Sequence, residues 1–121
     1  MFLQDGGIIV AQPSTSIATP TGAGVTIGSS QFINRNAPSG AVTAAILAAG
    51  SFNGEIIIVT NESTIVANSI TFSTTLATGL VLTDATPDAN VIKAASASMF
   101  IWLTSLNGGN GAWVKFGPFG G

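Results

Sequence analysis

The chain is 121 residues long, with three basic and five acidic side chains, a formal net charge of −2, and no histidine, cysteine or tyrosine. Proton transfer, nucleophilic attack and metal binding draw mostly on His, Cys, Asp, Glu, Lys and Tyr, so this composition argues against an enzyme and against a cofactor or metal site. Phosphate backbones are held by clustered Lys and Arg, which an acidic chain with Arg35, Lys93 and Lys115 as its cations does not supply, so nucleic acid is not an expected partner.

Hydrophobic residues make up 46% of the chain, and its mean hydropathy is +0.57. The length fits one domain. A membrane-crossing helix needs roughly 20 consecutive apolar residues. The longest apolar stretches, residues 41–49 and 55–59, are short and broken by Thr43, Thr60 and Asn61. A membrane β-barrel needs more strands than one such chain holds, unless subunits share it. No membrane partner is expected. The start, Met1-Phe2-Leu3-Gln4-Asp5, lacks the basic and long apolar regions of a signal peptide. The apolar excess is therefore expected to be covered in an oligomer, because large apolar patches on soluble proteins mark interfaces.

Residues 1–30 read as an extended N-terminal arm. Gln12 to Gly24 is small, polar and punctuated by Pro13 and Pro20, too poor in apolar content to form a core. Residues 7–11 and 25–27 read as short strands within it, with Ile8, Ile9 and Val10 as the expected arm contacts. From Gln31 the pattern is β-type. Residues 31–36 alternate and end at the turn Ala37-Pro38-Ser39-Gly40. Residues 41–50 are alanine-rich, with Ser39 and Gly50 placed as helix caps, but the strand-like neighbours favour a strand. Asn53-Gly54 turns the chain into residues 55–60, β-branched and apolar on both faces, the pattern of a central strand covered on two sides. Residues 65–72 place Val66, Asn68, Ile70 and Phe72 on one side. Residues 79–83 form another short strand, and Asp84 to Asp88 a polar turn.

Residues 90–94 lead into residues 97–104, where Met99, Ile101 and Leu103 line one face and Phe100 and Trp102 the other. Both faces call for burial, which makes Met99, Phe100, Ile101, Trp102 and Leu103 the expected oligomer interface, divided between subunit core and subunit contact. Asn107-Gly108-Gly109-Asn110-Gly111 is a hairpin loop that returns the chain into residues 112–116. Residues 117–121 read as irregular. No internal repeat is visible. Many short strands with turn punctuation imply an all-β fold, a single β-sandwich or jelly-roll-like domain over residues 31–121.

None of the candidate chemical groupings is complete. Asp84 and Asp88 share a proline-containing turn without the further oxygens of a calcium loop. Glu55 and Glu62 bracket one strand, about 20 Å apart at the strand rise, whereas glycosidase carboxylates work at roughly 5–10 Å. Gly22-Ala23-Gly24 and Gly108-Gly109 lack the following helix of a phosphate loop. Asn61-Glu62-Ser63 matches a glycosylation acceptor and is read as chance. Trp102, Trp113, Phe100 and Phe116 suit a core or an interface; exposed, they would suit a sugar platform.

The run Arg35-Asn36-Ala37-Pro38, Ala41-Val42-Thr43 and Ile46 to Glu62, followed by Asn68-Ser69-Ile70-Thr71-Phe72, Val91-Ile92-Lys93-Ala94, Ser98 to Trp102 and a closing Trp113, resembles the small β-domains of tailed-bacteriophage virion proteins. These include capsid decoration or cement proteins and head-fibre or tail-fibre modules. The resemblance covers about residues 31–116 and carries over no functional residue. It implies a homotrimer on the capsid surface, with the major capsid protein or another virion protein as partner and binding energy rather than catalysis as its contribution. The rival readings are a fibre module that binds a receptor or glycan through Trp102 or Trp113, and a filament subunit that donates residues 7–11 to a neighbour's sheet.

Overall fold

The computed structural model describes the backbone of residues 2–4, 7–9 and 16–120, and side chains within residues 16–117. The fold is all-β, with no α-helix among the described residues. The elements are β1 (Phe2–Gln4), β2 (Gly7–Ile9), β3 (Gly22–Ala23), β4 (Thr26–Ile27), β5 (Ile33–Asn34), β6 (Val42–Leu47), β7 (Ile56–Asn61), β8 (Ile70–Phe72), β9 (Val81–Leu82), β10 (Val91–Ile92), β11 (Ser96–Leu103) and β12 (Ala112–Gly120). A short 3-10 turn, Asn107–Gly109, closes the loop between β11 and β12.

β1 and β2 form an antiparallel pair, with Leu3 beside Ile8 and Phe2 beside Ile9. The arm contacts expected at Ile8 and Ile9 thus fall on a hairpin strand, and Val10 lies outside the described residues. The other strands make two five-stranded sheets. The first runs β10-β8-β6-β3, with β4 also paired to β6; the second runs β5-β7-β11-β12-β9. Their inner faces share one core. Ile27, Val42, Ala45, Leu47, Ile70, Phe72 and Ile92 come from the first sheet, and Ile57, Val59, Val81, Phe100, Trp102 and Trp113 from the second. Phe72 meets Phe100 edge-on across the interior at 5.5 Å, and the Trp113 indole N–H crosses it to donate to the Ala48 carbonyl at 2.9 Å. The arrangement is that of a β-sandwich.

The path of the chain differs from an antiparallel jelly roll. From β3 to β11 the strands pass back and forth between the sheets, and many neighbours within a sheet are parallel: β3 and β4 with β6, β6 with β8, β5 with β7, and β9 with β12. The chain therefore winds as a flattened coil before the β11–β12 hairpin closes the second sheet. Residues 18–27, expected in the arm, are the first turn of this coil. Ala18 bridges Asn36, Gly22 pairs with Val42, and Ile27 is buried in the core. Pairing with β6 supplies the hydrogen bonds that this Pro- and Gly-punctuated segment cannot make within itself.

Residues 42–47 form a strand, as expected, with one irregularity. Ala44 has a φ of 51°, and the register with β8 shifts between Val42 and Ala45. This bulge lets Val42, Ala45 and Leu47 all face inward although the first two are three positions apart. Two sequence readings are corrected. Val66 is 88% exposed, because residues 65–68 turn, with the Asn68 N–H donating to the Ile65 carbonyl, so the alternation begins only at Asn68. And β12 continues to Gly120, paired with Ser96, where an irregular tail was expected.

Trp102 fixes two glycines. A Cβ on Gly50 would collide with the indole near Cγ, and one on Gly111 with its Cζ2 edge; Gly111 also has a φ of 84°, in the region that favours glycine. The strand end and the hairpin loop close over the ring because neither position carries a side chain.

Buried asparagines serve the corners where strands leave the ladder. Asn61 donates through Nδ2 to the carbonyls of Asn68 (2.8 Å) and Ile92 (2.9 Å) and accepts from the Ser63 N–H at 3.1 Å. Asn68 donates to the Pro38 carbonyl at 2.9 Å. Asn34 donates to the Gln31 and Ile58 carbonyls, and Asn36 to the carbonyl of Asn34. These amides satisfy main-chain groups that irregular corners would otherwise bury unpaired. They also explain the glycosylation-like triplet, since the Asn61 amide is 1% exposed and fully engaged.

Ser98 is the exception. Its Oγ is buried without a hydrogen-bond partner among the described residues, facing the core between Ser96 and Phe100 on β11. An unpaired buried hydroxyl costs about 1–3 kcal/mol. Ser98→Ala is therefore expected to raise the midpoint of urea unfolding by the equivalent of about 1 kcal/mol; a lower midpoint would show that the hydroxyl is satisfied.

Candidate functional site

The feature with functional content is the outer face of the second sheet. Along β7, Ile57, Val59 and Asn61 point inward, while Ile56, Ile58 and Thr60 point outward. Along β11, Ser96, Ser98, Phe100 and Trp102 are buried, and Ala97, Met99, Ile101 and Leu103 lie on the opposite side, partly exposed. The registers assemble the outward residues into rows. Ile33, Ile58, Met99 and Phe116 form one row across β5, β7, β11 and β12. Ile56, Ile101, Val114 and Leu82 form the next, across β7, β11, β12 and β9. Ile56 is 44% exposed and Phe116 41%, and the remaining six are partly exposed. Cross-strand apolar neighbours of this kind stabilise the sheet, and their side chains stay partly or largely exposed in the single chain.

The five residues expected at an interface thus divide. Phe100 and Trp102 are core residues, 0% and 4% exposed, whereas Met99, Ile101 and Leu103 lie on the outer face. The central strand expected to be covered on both sides is fully buried on one side and partly exposed on the other. Trp113 is also fully buried, packed 5.2 Å from Trp102 and 6.5 Å from Phe100. No tryptophan is placed to stack on a sugar.

Sequence reasoning found the β11 part of the face and placed Phe116 among the aromatics suited to a core or an interface, but missed Ile33, Ile56, Ile58, Leu82 and Val114. The period-2 pattern of β7 already separated Ile56 and Ile58 from Ile57 and Val59. What was lacking was the register that sets β5 and β12 beside them.

The charged groups among the described residues sit away from the rows or are held within the chain. Arg35 forms a two-pronged pair with Glu62, Nε to Oε2 at 2.8 Å and Nη2 to Oε1 at 2.7 Å, and the Thr60 hydroxyl donates to Glu62 Oε2 at 2.9 Å. This cluster marks one end of the face. Hydrogen bonding from Arg35 is the main cause that holds the Glu62 carboxyl below its ordinary value of 4.5, and burial opposes it. A carboxyl depressed in the folded state adds stability that is present above its unfolded value and lost as pH falls through the folded one. Acidification below about pH 4.5 is therefore expected to destabilise the native chain more than Glu62→Gln, by a modest margin because the pair is partly exposed. Parallel acid-unfolding curves would contradict this role.

Glu55 Oε1 accepts from the Ser51 N–H across its own turn. Glu55 and Glu62 flank β7 at opposite ends, as expected. Asp84 accepts from the Thr86 N–H and hydroxyl, which hold its carboxyl low. Lys115, opposite Phe100 in the register, turns inward and donates to the Gly117 carbonyl at 3.1 Å; burial lowers its pKa, with Asp84 opposing. Among the described residues no cluster of three or more His, Cys, Asp or Glu side chains has metal-binding geometry, and no helix is long and apolar enough to cross a membrane.

No protein-family model matches the chain, and no significant match is found among curated proteins or solved structures.

Proposed function

We propose that the protein is a structural subunit of a virion, a capsid decoration protein that works by binding and not by catalysis. One observation carries this reading: the residues exposed in ordered rows are apolar, while the described carboxylates at Glu55, Glu62 and Asp84 are tied into local hydrogen bonds. A surface of that kind contributes burial energy, at about 25 cal/mol per Å² of apolar area covered, which is what reinforcement of a shell requires. The resemblance to small phage β-domains supplies the shell as partner and a homotrimer as the assembly. The buried tryptophans withdraw the sugar platform on which the fibre-adhesin alternative rested.

Electron microscopy and peptide mapping of virus particles purified from the source of the sequence test the reading. Ordered density for the chain on the outside of the head is expected. Recovery of the chain exclusively in particle-free fractions would contradict it.

A further inference from the structure

We propose that Asn53 is a self-modification site: the main-chain nitrogen of Gly54 attacks the Asn53 side-chain amide, and the turn converts to an aspartyl or isoaspartyl form without an enzyme. The inference stands apart from the virion reading above and needs no partner.

The sequence holds three Asn-Gly steps, Asn53-Gly54, Asn107-Gly108 and Asn110-Gly111. Glycine has no Cβ to bar its nitrogen from the preceding side chain, so each step is open to this attack in a free chain. The fold separates them. At Asn107 the amide is clamped through Nδ2, which donates to the carbonyls of Ala77 at 2.9 Å and Gly111 at 3.3 Å. At Asn110 the nucleophile is shut in, because Gly111 is buried and its N–H donates to the Leu106 carbonyl at 3.0 Å.

Asn53 is exposed, on a turn closed by the Glu55 N–H and the Phe52 carbonyl at 3.2 Å. Its Oδ1 accepts from the Thr104 main-chain N–H at 3.1 Å and from the Thr104 hydroxyl at 3.3 Å. A main-chain N–H only donates, which fixes the amide oxygen as the atom facing Thr104 and leaves Nδ2, the departing group, on the other arm. Attack at Cγ drives negative charge onto that oxygen, and two donors already aimed at it stabilise the charge as an oxyanion hole does.

The chemistry needs water alone. Gly54 N gives up its proton and bonds to Asn53 Cγ; the Cγ–Nδ2 bond breaks and the amide nitrogen leaves as ammonia, taking up a proton. Water then opens the cyclic imide at either carbonyl. The Gly54 N–H donates to the Trp102 carbonyl at 2.7 Å, so this bond opens first and paces the reaction. The isoaspartyl product has a longer main chain, which pulls on that bond and on its neighbour from the Trp102 N–H to the Glu55 carbonyl at 2.8 Å. Conversion therefore loosens the end of β11.

Peptide mapping by mass spectrometry of the folded chain held at mildly alkaline pH, with isoaspartyl methyltransferase labelling, tests the proposal. Conversion at Asn53 is expected to run about tenfold faster than at Asn107 or Asn110, the rate equivalent of one hydrogen bond gained in the transition state. In concentrated urea the three steps should draw level, because the fold sets their order. Thr104→Val deletes the hydroxyl and keeps the main-chain donor, and is expected to slow Asn53 by about threefold to tenfold; Thr104→Ser should keep the original rate. The comparison within the unmodified chain serves if the valine variant fails to fold. Conversion at Asn53 no faster than at the other two steps, an order unchanged by urea, or an unaltered rate in a natively folded Thr104→Val chain would each overturn the proposal.

Discussion

Trp113→Ala is expected to remove most of the stability of the folded chain. The side chain is fully buried, packs against Phe100 and Trp102, and supplies the hydrogen bond to the Ala48 carbonyl that ties the two sheets together. Truncating a buried Trp costs about 3–5 kcal/mol, and the carbonyl left without its donor adds about 1–3 kcal/mol. Small domains hold about 5–15 kcal/mol in total. Urea unfolding should show the alanine variant largely unfolded at room temperature. Trp113→Phe, which keeps the ring contacts and loses the N–H, should fall between it and the unmodified chain. A Trp113→Ala midpoint close to the original would mean that the inter-sheet core is not where the structure puts it.

The second large effect is expected at Asn61. Its amide satisfies the carbonyls of Asn68 and Ile92 and the N–H of Ser63, three main-chain groups on different corners of the coil. Asn61→Ala leaves them unpaired in the interior, at about 1–3 kcal/mol for each group that solvent does not reach, so a loss of about 3 kcal/mol or more is expected. Asn61→Asp separates hydrogen bonding from size. A carboxylate there faces two carbonyl oxygens in a buried site, so its folded pKa is raised above the unfolded value. The folded state then binds more protons than the unfolded one, and stability must fall as pH rises. N61D should be more stable at about pH 4 than at pH 7; the same midpoint at both would show that residue 61 is hydrated.

Much of the β-structure was legible because its signals are local. Residues 55–60 and 97–104 carry β-branched and aromatic runs that specify strands by themselves, and β7 and β11 formed within a residue or so of those limits. The glycine-rich loop at Asn107 to Gly111 announced the β11–β12 hairpin.

The coil was not legible, because its signals are long-range and aperiodic. Gly22 lies beside Val42, Ile33 beside Ile58 and Val42 beside Ile70, so successive turns differ in length and leave no fixed repeat in the sequence. The same non-local pairing hid the first turn: Gly22 and Gly24 look like linker until β6 is set beside them. Asn61 stood out in the sequence as a break in an apolar stretch and a chance glycosylation acceptor, and Asn68 as a strand position beside Ile70 and Phe72, since a sequence does not show which main-chain groups a corner will leave unpaired. At the candidate site, the alternation of β11 separated Met99 and Ile101 from Phe100 and Trp102, but which side faced the core depended on the position of the other sheet. Ile33 and Phe116 joined the face only through register.

The central claim is that this chain acts as an oligomeric structural subunit. Sedimentation velocity of the unmodified protein, from about 1 to 100 µM to expose any mass-action equilibrium, tests it most directly. The account predicts a species at a small multiple of the 12.1 kDa chain, three copies by the expectation carried from the phage β-domains, that dissociates only on dilution. A single species at 12.1 kDa throughout that range would contradict it.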